Sequence, residues 1–119
     1  MSAPVTPARI LDTRDGTGGI TGAIPANGSV DVQITGRGGV PSTGVRAVIL
    51  NATVTGTAAP GYLTIHPAGI ARPIVSDLNF NAGETRPNLV VVQVGAGGKV
   101  SLFSAAGTHV IFDVAGWVS

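Results

Sequence analysis

Glycine and proline interrupt this chain so often that it has no room for a long helix. The sequence contains 18 Gly and 8 Pro among 119 residues, and no stretch of twelve or more residues keeps the apolar spacing of a helix free of both. The segments between these interruptions are rich in Val, Ile and Thr, which favour strands. The sequence therefore predicts an all-β protein.

About eight of these segments have the length and alternation of strands. The clearest is residues 46–56, where Val48, Leu50, Ala52 and Val54 share one face and the first half is apolar on both faces, as in a central strand. The predicted strands are residues 8–12, 29–34, 46–56, 62–67, 74–80, 88–94, 99–104 and 109–118. We predict a two-sheet antiparallel β-sandwich, jelly-roll-like, with a small β-barrel as the second choice.

The middle of the chain contains a weak internal sequence repeat with a period of roughly 37 residues. Residues 50–65 resemble residues 90–102, because each segment holds one strand, a turn and a second strand. Two copies are too few for a solenoid. We predict two related hairpins that face each other across one core, the second of them closed by residues 95–98.

Charge is scarce, and its balance excludes several classes of partner. Charged residues make up 11% of the chain and the net charge is +1, whereas an ordinary domain has about 25% charged residues. We therefore expect no nucleic-acid partner and no binding to an anionic membrane, and no apolar run is long enough for a membrane span. The chain has no Cys, which excludes disulfides, thiolate zinc sites and cysteine nucleophiles.

The exception to this scarcity is residues 7–18, which hold Arg9, Asp12, Arg14 and Asp15. Charges beside apolar residues need partners if they lie near a core, so we predict a structural clasp that joins the start of the chain to its final strand. The predicted clasp residues are Arg9, Asp12, Arg14, Arg86 and Asp113. The alternative is a Ca²⁺ site formed by Asp12, Asp15 and the carbonyls of residues 16–18, although the spacing is not that of an EF-hand. No other cofactor is expected.

The same segment carries a resemblance to a known module. Residues 7–18 follow the pattern P-x-R-(L or I)-L-D-T-R-x-G-x-G, and further matches continue as far as Asp113-Val114-Ala115-Gly116-Trp117. In these motifs the chain resembles a module repeated in secreted and cell-surface proteins of actinobacteria and related bacteria, which more often ends in Gly-Tyr than in Gly-Trp. The resemblance implies that residues 1–119 are one module of a larger extracellular protein. It carries over no catalytic residue.

A candidate ligand-binding patch lies on the predicted strand at residues 62–67. Tyr62, Thr64 and His66 alternate along it and point to one face, and an aromatic ring with polar neighbours is typical of sugar sites. Trp117 is a further candidate for the patch. The alternative is structural, with Tyr62 covering the sheet and Trp117 closing one end of the sandwich. We assign the three phenylalanines to the core: Phe80, Phe103 and Phe112.

Several predicted strand positions carry Asn or Asp, which strands disfavour. They are Asn51, Asp77, Asn79, Asn88 and Asp113. We predict that these side chains bond to loop backbone and fix the corners where strands leave the sheet. The alternative is a glycan-binding patch on one sheet face.

No residue set for catalysis stands out. His66 and His109 are the two histidines, no G-x-S-x-G elbow occurs, and nothing marks a pair of acids for glycoside hydrolysis. We therefore predict a non-enzymatic, extracellular or cell-surface module that serves as a structural spacer or adhesion unit. One alternative is a carbohydrate-binding module or lectin, with glycans or a cell-wall polymer as partners. Another is a self-assembling module that pairs through strand edges. The sequence leaves the oligomeric state open.

Overall fold

The computed structural model describes the backbone of residues 2–119 and the side chains of residues 6–119. These residues form eight strands and a short 3-10 turn at Ala96–Gly98. The strands are β1 (Ser2–Asp12), β2 (Gly28–Gln33), β3 (Ala47–Thr55), β4 (Gly61–Pro67), β5 (Leu78–Phe80), β6 (Arg86–Gln93), β7 (Lys99–Ser104) and β8 (His109–Val118). Within this part of the chain, no helix has the length and apolarity needed to cross a membrane.

The strands form two antiparallel four-stranded sheets that pack face to face. The first sheet has the order β1-β8-β3-β6, and the second has the order β2-β7-β4-β5. Most consecutive strands thus lie in different sheets, which is the strand order of a jelly roll. The predicted two-sheet, jelly-roll-like sandwich is confirmed.

The core lies between the sheets and is made of the inward residues of each strand. In β3, Val48, Leu50, Ala52 and Val54 are fully buried. The alternate residues from Ile49 to Thr55 lie on the outer face of the sheet and are half-buried. Burial of such side chains contributes roughly 25 cal/mol per Å² of apolar surface removed from water. Because the chain has no cystine, this core and the backbone hydrogen bonds hold the sandwich together.

The two copies of the internal sequence repeat do not form the hairpins that we predicted. The copies are β3–β4 and β6–β7, and in each copy the chain crosses from the first sheet to the second instead of returning as a hairpin. β3 pairs with β6 and β4 pairs with β7, so the copies lie side by side. The hairpin prediction was wrong because turn residues mark the end of a strand without specifying which sheet the next strand joins.

Three predicted strands differ from the observed bounds by more than one residue, and the first of them, β1, begins at Ser2 instead of residue 8. The segment 74–80 forms a strand only as β5, because Ile74 and Val75 leave the sheet and are exposed. β6 begins at Arg86 and includes Pro87. A proline is tolerated there because β6 is an edge strand.

Candidate functional site

The loop of residues 68–77, between β4 and β5, folds over the outer face of the second sheet. Thr64 Oγ1, on that face, donates a hydrogen bond to Val75 O at 2.6 Å. At the end of the loop, Asp77 Oδ2 accepts from the backbone N of Ile65 at 2.7 Å. The Asp77 carboxylate thereby replaces a backbone partner just before β5 begins, which is the corner role expected of this residue.

A pocket of about 270 Å³ lies between this loop and β4. Tyr62 and Thr64 of β4 line one side, and residues 72–76 of the loop line the other. The lining combines an aromatic ring, aliphatic side chains, hydroxyls and one guanidinium. Such a mixture of apolar wall and few polar groups is typical of small-molecule sites.

The wall of the pocket is built on Phe103 of β7. The guanidinium carbon of Arg72 lies 3.4 Å from the centre of the Phe103 ring, which is a cation–π contact. The Tyr62 ring also packs on Phe103, with 6.0 Å between the ring centres and an angle of 47° between the planes. Tyr62 remains 36% exposed, so its ring is accessible to a ligand.

Arg72 is held without using its hydrogen-bond donors. It forms no hydrogen bond and no ion pair with any residue that the structure describes, and its contact is the stack on Phe103. The next residue is Pro73, which restricts the backbone of Arg72 to extended conformations. The guanidinium is therefore positioned while its N–H groups remain free to bind a ligand.

The structure brings together three of the four predicted ligand residues and separates the fourth. Tyr62, Thr64 and His66 share the outer face of β4, but Thr64 and His66 are buried, with 0% and 6% of their surface exposed, and His66 does not line the pocket. The His66 Nδ1 atom donates to Pro67 O at 3.0 Å. Trp117 lies on β8, in the other sheet, and packs against the core. Its assignment to the patch was wrong.

Phe103 also differs from its predicted place. It is buried, but its cross-strand partner is Thr64 on the outer face, so the loop and Tyr62 cover it instead of the first sheet. The sequence held a signal for this, because Leu102 and Phe103 are adjacent in one strand and must face opposite sides. Ile74 and Val75 were missed as loop residues because they fell in the strand predicted over residues 74–80, and nothing in the sequence marked the contact of Arg72 with Phe103.

The structure joins four of the five predicted clasp residues. Arg9 Nε donates to Asp113 Oδ1 at 2.9 Å, which links β1 to β8, and Arg14 Nη2 donates to Asp12 Oδ2 at 2.9 Å. Arg9 also lies 3.6 Å from Asp12. The hydrogen bonds from Arg14 lower the pKa of Asp12 from 3.8 to about 2, against the opposing effect of burial.

Arg86 does not join the clasp. It lies at the start of β6, where its Nη2 donates to Glu84 Oε2 at 2.9 Å.

Thr13, next to the clasp, makes hydrogen bonds that the sequence did not predict. The Thr13 hydroxyl accepts from the backbone N of Val110 at 3.0 Å and lies 2.9 Å from His109 Nδ1. The clasp therefore continues into the start of β8 through the hydroxyl of Thr13.

The geometry does not favour the Ca²⁺ alternative at Asp12 and Asp15. Both carboxylate oxygens of Asp12 accept hydrogen bonds from Arg14. Asp15 Oδ1 accepts from the backbone N and the Oγ1 of Thr17. Within residues 6–119, no group of three or more His, Cys, Asp or Glu side chains could hold a metal ion. The turn that follows β1 is thus closed by its own hydrogen bonds.

No protein-family model, no curated protein and no solved structure matches this chain.

Proposed function

We propose that this protein is a non-catalytic adhesion module that binds carbohydrate in the pocket between β4 and the loop of residues 68–77. The observation that carries the proposal is the exposed Tyr62 ring beside the unpaired Arg72 in a pocket of about 270 Å³. Small-molecule pockets typically measure about 300–1,000 Å³. This pocket is slightly smaller than that range, which suits one sugar unit or the end of a glycan chain.

The groups of the pocket complement the two kinds of surface on a sugar. A pyranose ring has an apolar C–H face, which packs on an aromatic ring such as that of Tyr62. Its hydroxyl rim needs both donors and acceptors. Arg72 offers donors, and Ser76 Oγ can accept because it donates its own proton to Asn79 Oδ1 at 2.6 Å.

The same lining supports binding without turnover. The residues that line the pocket include no carboxylate, imidazole or thiol, whereas glycoside hydrolysis typically needs two carboxylates across the scissile bond. In this proposal the jelly roll is the rigid support, and the pocket is its adhesive site. The module would serve as a spacer and adhesion unit of an extracellular or cell-surface protein, with glycans or a cell-wall polymer as partners.

Substitution of Tyr62 tests the proposal. Tyr62→Ala removes the aromatic face, so we expect glycan affinity to fall by about tenfold or more. The measurement is a glycan array followed by isothermal titration calorimetry. Leu89→Ala is the control, because Leu89 is an exposed apolar residue on the other sheet. Absence of binding to any glycan at about millimolar concentration, or equal losses in the two variants, would contradict carbohydrate binding through this pocket.

We propose self-association as a second candidate, and edge strand β6 is the observation that favours it. Leu89 and Val91 on its outer face are 60% and 66% exposed. After Arg86 the strand carries no charged residue. Charged side chains are a common protection of edge strands against pairing with another copy. A second copy of this chain is therefore the partner that this edge fits.

A further inference from the structure

We propose that the pocket selects sugars that carry a carboxylate, and that Arg72 binds this carboxylate. The inference rests on the proposed carbohydrate-binding function and specifies its ligand class. It follows from the charge of the pocket, from the way Arg72 is held, and from the position of Tyr62 beside it.

The pocket carries one charge, and nothing in the described part of the chain neutralises it. Arg72 is the single charged residue of the lining. Arg9, Arg14 and Arg86 each pair with a carboxylate, whereas Arg72 forms no ion pair with the residues described. Asp77, the acid nearest to it in sequence, uses a carboxylate oxygen to accept from the backbone N of Ile65. An anionic ligand would therefore find an unpaired positive charge.

The stack on Phe103 presents the guanidinium in a form suited to a carboxylate. Phe103 is itself 6% exposed and fixed in β7. A guanidinium whose face packs on a ring keeps its N–H donors at the edge, where a planar carboxylate can accept two parallel hydrogen bonds. Because stacking orders the side chain of Arg72 and Pro73 restricts its backbone, less conformational entropy is lost when the ligand binds.

Tyr62 provides the second half of the recognition. Tyr62 and Arg72 both contact the Phe103 ring, so a ligand in the pocket can reach the two together. A pyranose with a carboxylate on its ring can place its C–H face against Tyr62 and its acid group against Arg72. Uronic acids and sialic acids have this chemistry.

The test compares acidic glycans with neutral counterparts of the same shape. The array holds oligosaccharides that contain uronic or sialic acid, the methyl ester of each, and sugar phosphates. The strongest acidic glycan and its ester are then titrated by calorimetry. We expect the acid to bind at least about tenfold more tightly than the ester, with a difference that shrinks as the salt concentration rises.

Two variants with the same loss of charge assign this selectivity to Arg72. Arg72→Gln is expected to remove the difference between acid and ester. Arg46→Gln is the control, because Arg46 is exposed and its side chain has no ion pair among the residues described. It is expected to keep the difference. Thermal unfolding of both variants checks that the fold is intact.

Each result separates this inference from the function on which it rests. Equal affinity for acid and ester, or a preference that survives Arg72→Gln, overturns acid selection and leaves sugar binding in place. A preference for sugar phosphates overturns the carboxylate as the recognised group. If no glycan binds at all, the proposed function fails and the inference fails with it.

Discussion

At the scale of single residues, Asp12 shows how this chain uses its few charges. It is 2% exposed and accepts hydrogen bonds from both the backbone and the side chain of Arg14. A buried carboxylate is costly to leave unpaired, because it has lost its hydration. The clasp therefore ties the end of β1 to the turn that follows it, while Arg9 and Asp113 tie β1 to β8.

Asp12 should make the fold sensitive to acid. Its pKa is lowered from 3.8 to about 2 in the folded protein, so its stabilisation is fully present above pH 4 and is lost as the pH falls from about 4 to about 2. We expect this loss to reach up to about 2 kcal/mol in the free energy of unfolding. Urea unfolding at pH values between 2 and 6 measures it.

Two variants isolate that contribution. Asp12→Asn cannot titrate, so its stability should change less than that of the original protein between pH 4 and pH 2. Asp31→Asn is the control, because Asp31 is exposed on β2 and takes part in no ion pair that involves the described residues. If Asp12→Asn keeps the full acid dependence, groups other than Asp12 cause it.

At the scale of elements, the alternation of apolar and polar residues predicts a strand whose two faces differ. It gives no information on which part of the chain covers the outer face. β3 was predicted because Val48 and Leu50 face the core and polar residues separate the later apolar ones. The pocket could not be predicted, because it depends on Arg72 reaching Phe103, a residue on another strand. The clasp was largely predicted, since local charge density marked the first strand and Asp113 was named as the distant partner that Arg9 binds. Arg86 was assigned wrongly because charge alone does not show that a nearer acid, Glu84, is its partner.

The exposed edge of β6 should bring two copies together at high concentration. Edge pairing would satisfy backbone groups along the strand and place Leu89 and Val91 beside side chains of the second copy. We expect light scattering to show a dimer at high protein concentration and a monomer after Val91→Lys, which places a charge on the edge. Ile74→Lys is the control, because Ile74 is an exposed apolar residue outside the strand. A monomer mass for the unchanged protein at every concentration would contradict self-association.

At the scale of the whole molecule, the pocket depends on a contact between two connections. The 68–77 loop leaves β4 at Ala68, and the crossover from β6 to β7 passes beside it. Ala96 N donates to Ala68 O at 3.0 Å, and Ala68 N donates to Lys99 O at 3.2 Å. The jelly roll thus supports the pocket at two places. β7 supplies Phe103, on which Arg72 packs, and the crossover before β7 forms hydrogen bonds with the start of the loop.

Gly95 in this crossover should therefore be required for both stability and binding. A Cβ at position 95 would overlap the backbone N and O of Ala68, which cannot move without displacing the loop. The Gly95 φ of −104° suits any residue, so the effect of Gly95→Ala is steric and not conformational. We expect a loss of about 1–3 kcal/mol in the free energy of unfolding, together with weaker glycan binding because the loop that lines the pocket shifts.

Gly107→Ala is the matched control for this close approach. A Cβ there would meet Ala58 Cβ at 3.5 Å and Ile24 O at 3.9 Å, which are ordinary contacts, so its stability should change by no more than about 0.5 kcal/mol. Urea unfolding and glycan titration on both variants measure the two effects. Equal stability of the two variants would mean that the crossover and the loop are not in close contact. A large loss of stability in Gly95→Ala with unchanged glycan affinity would mean that the loop does not need this support to form the pocket.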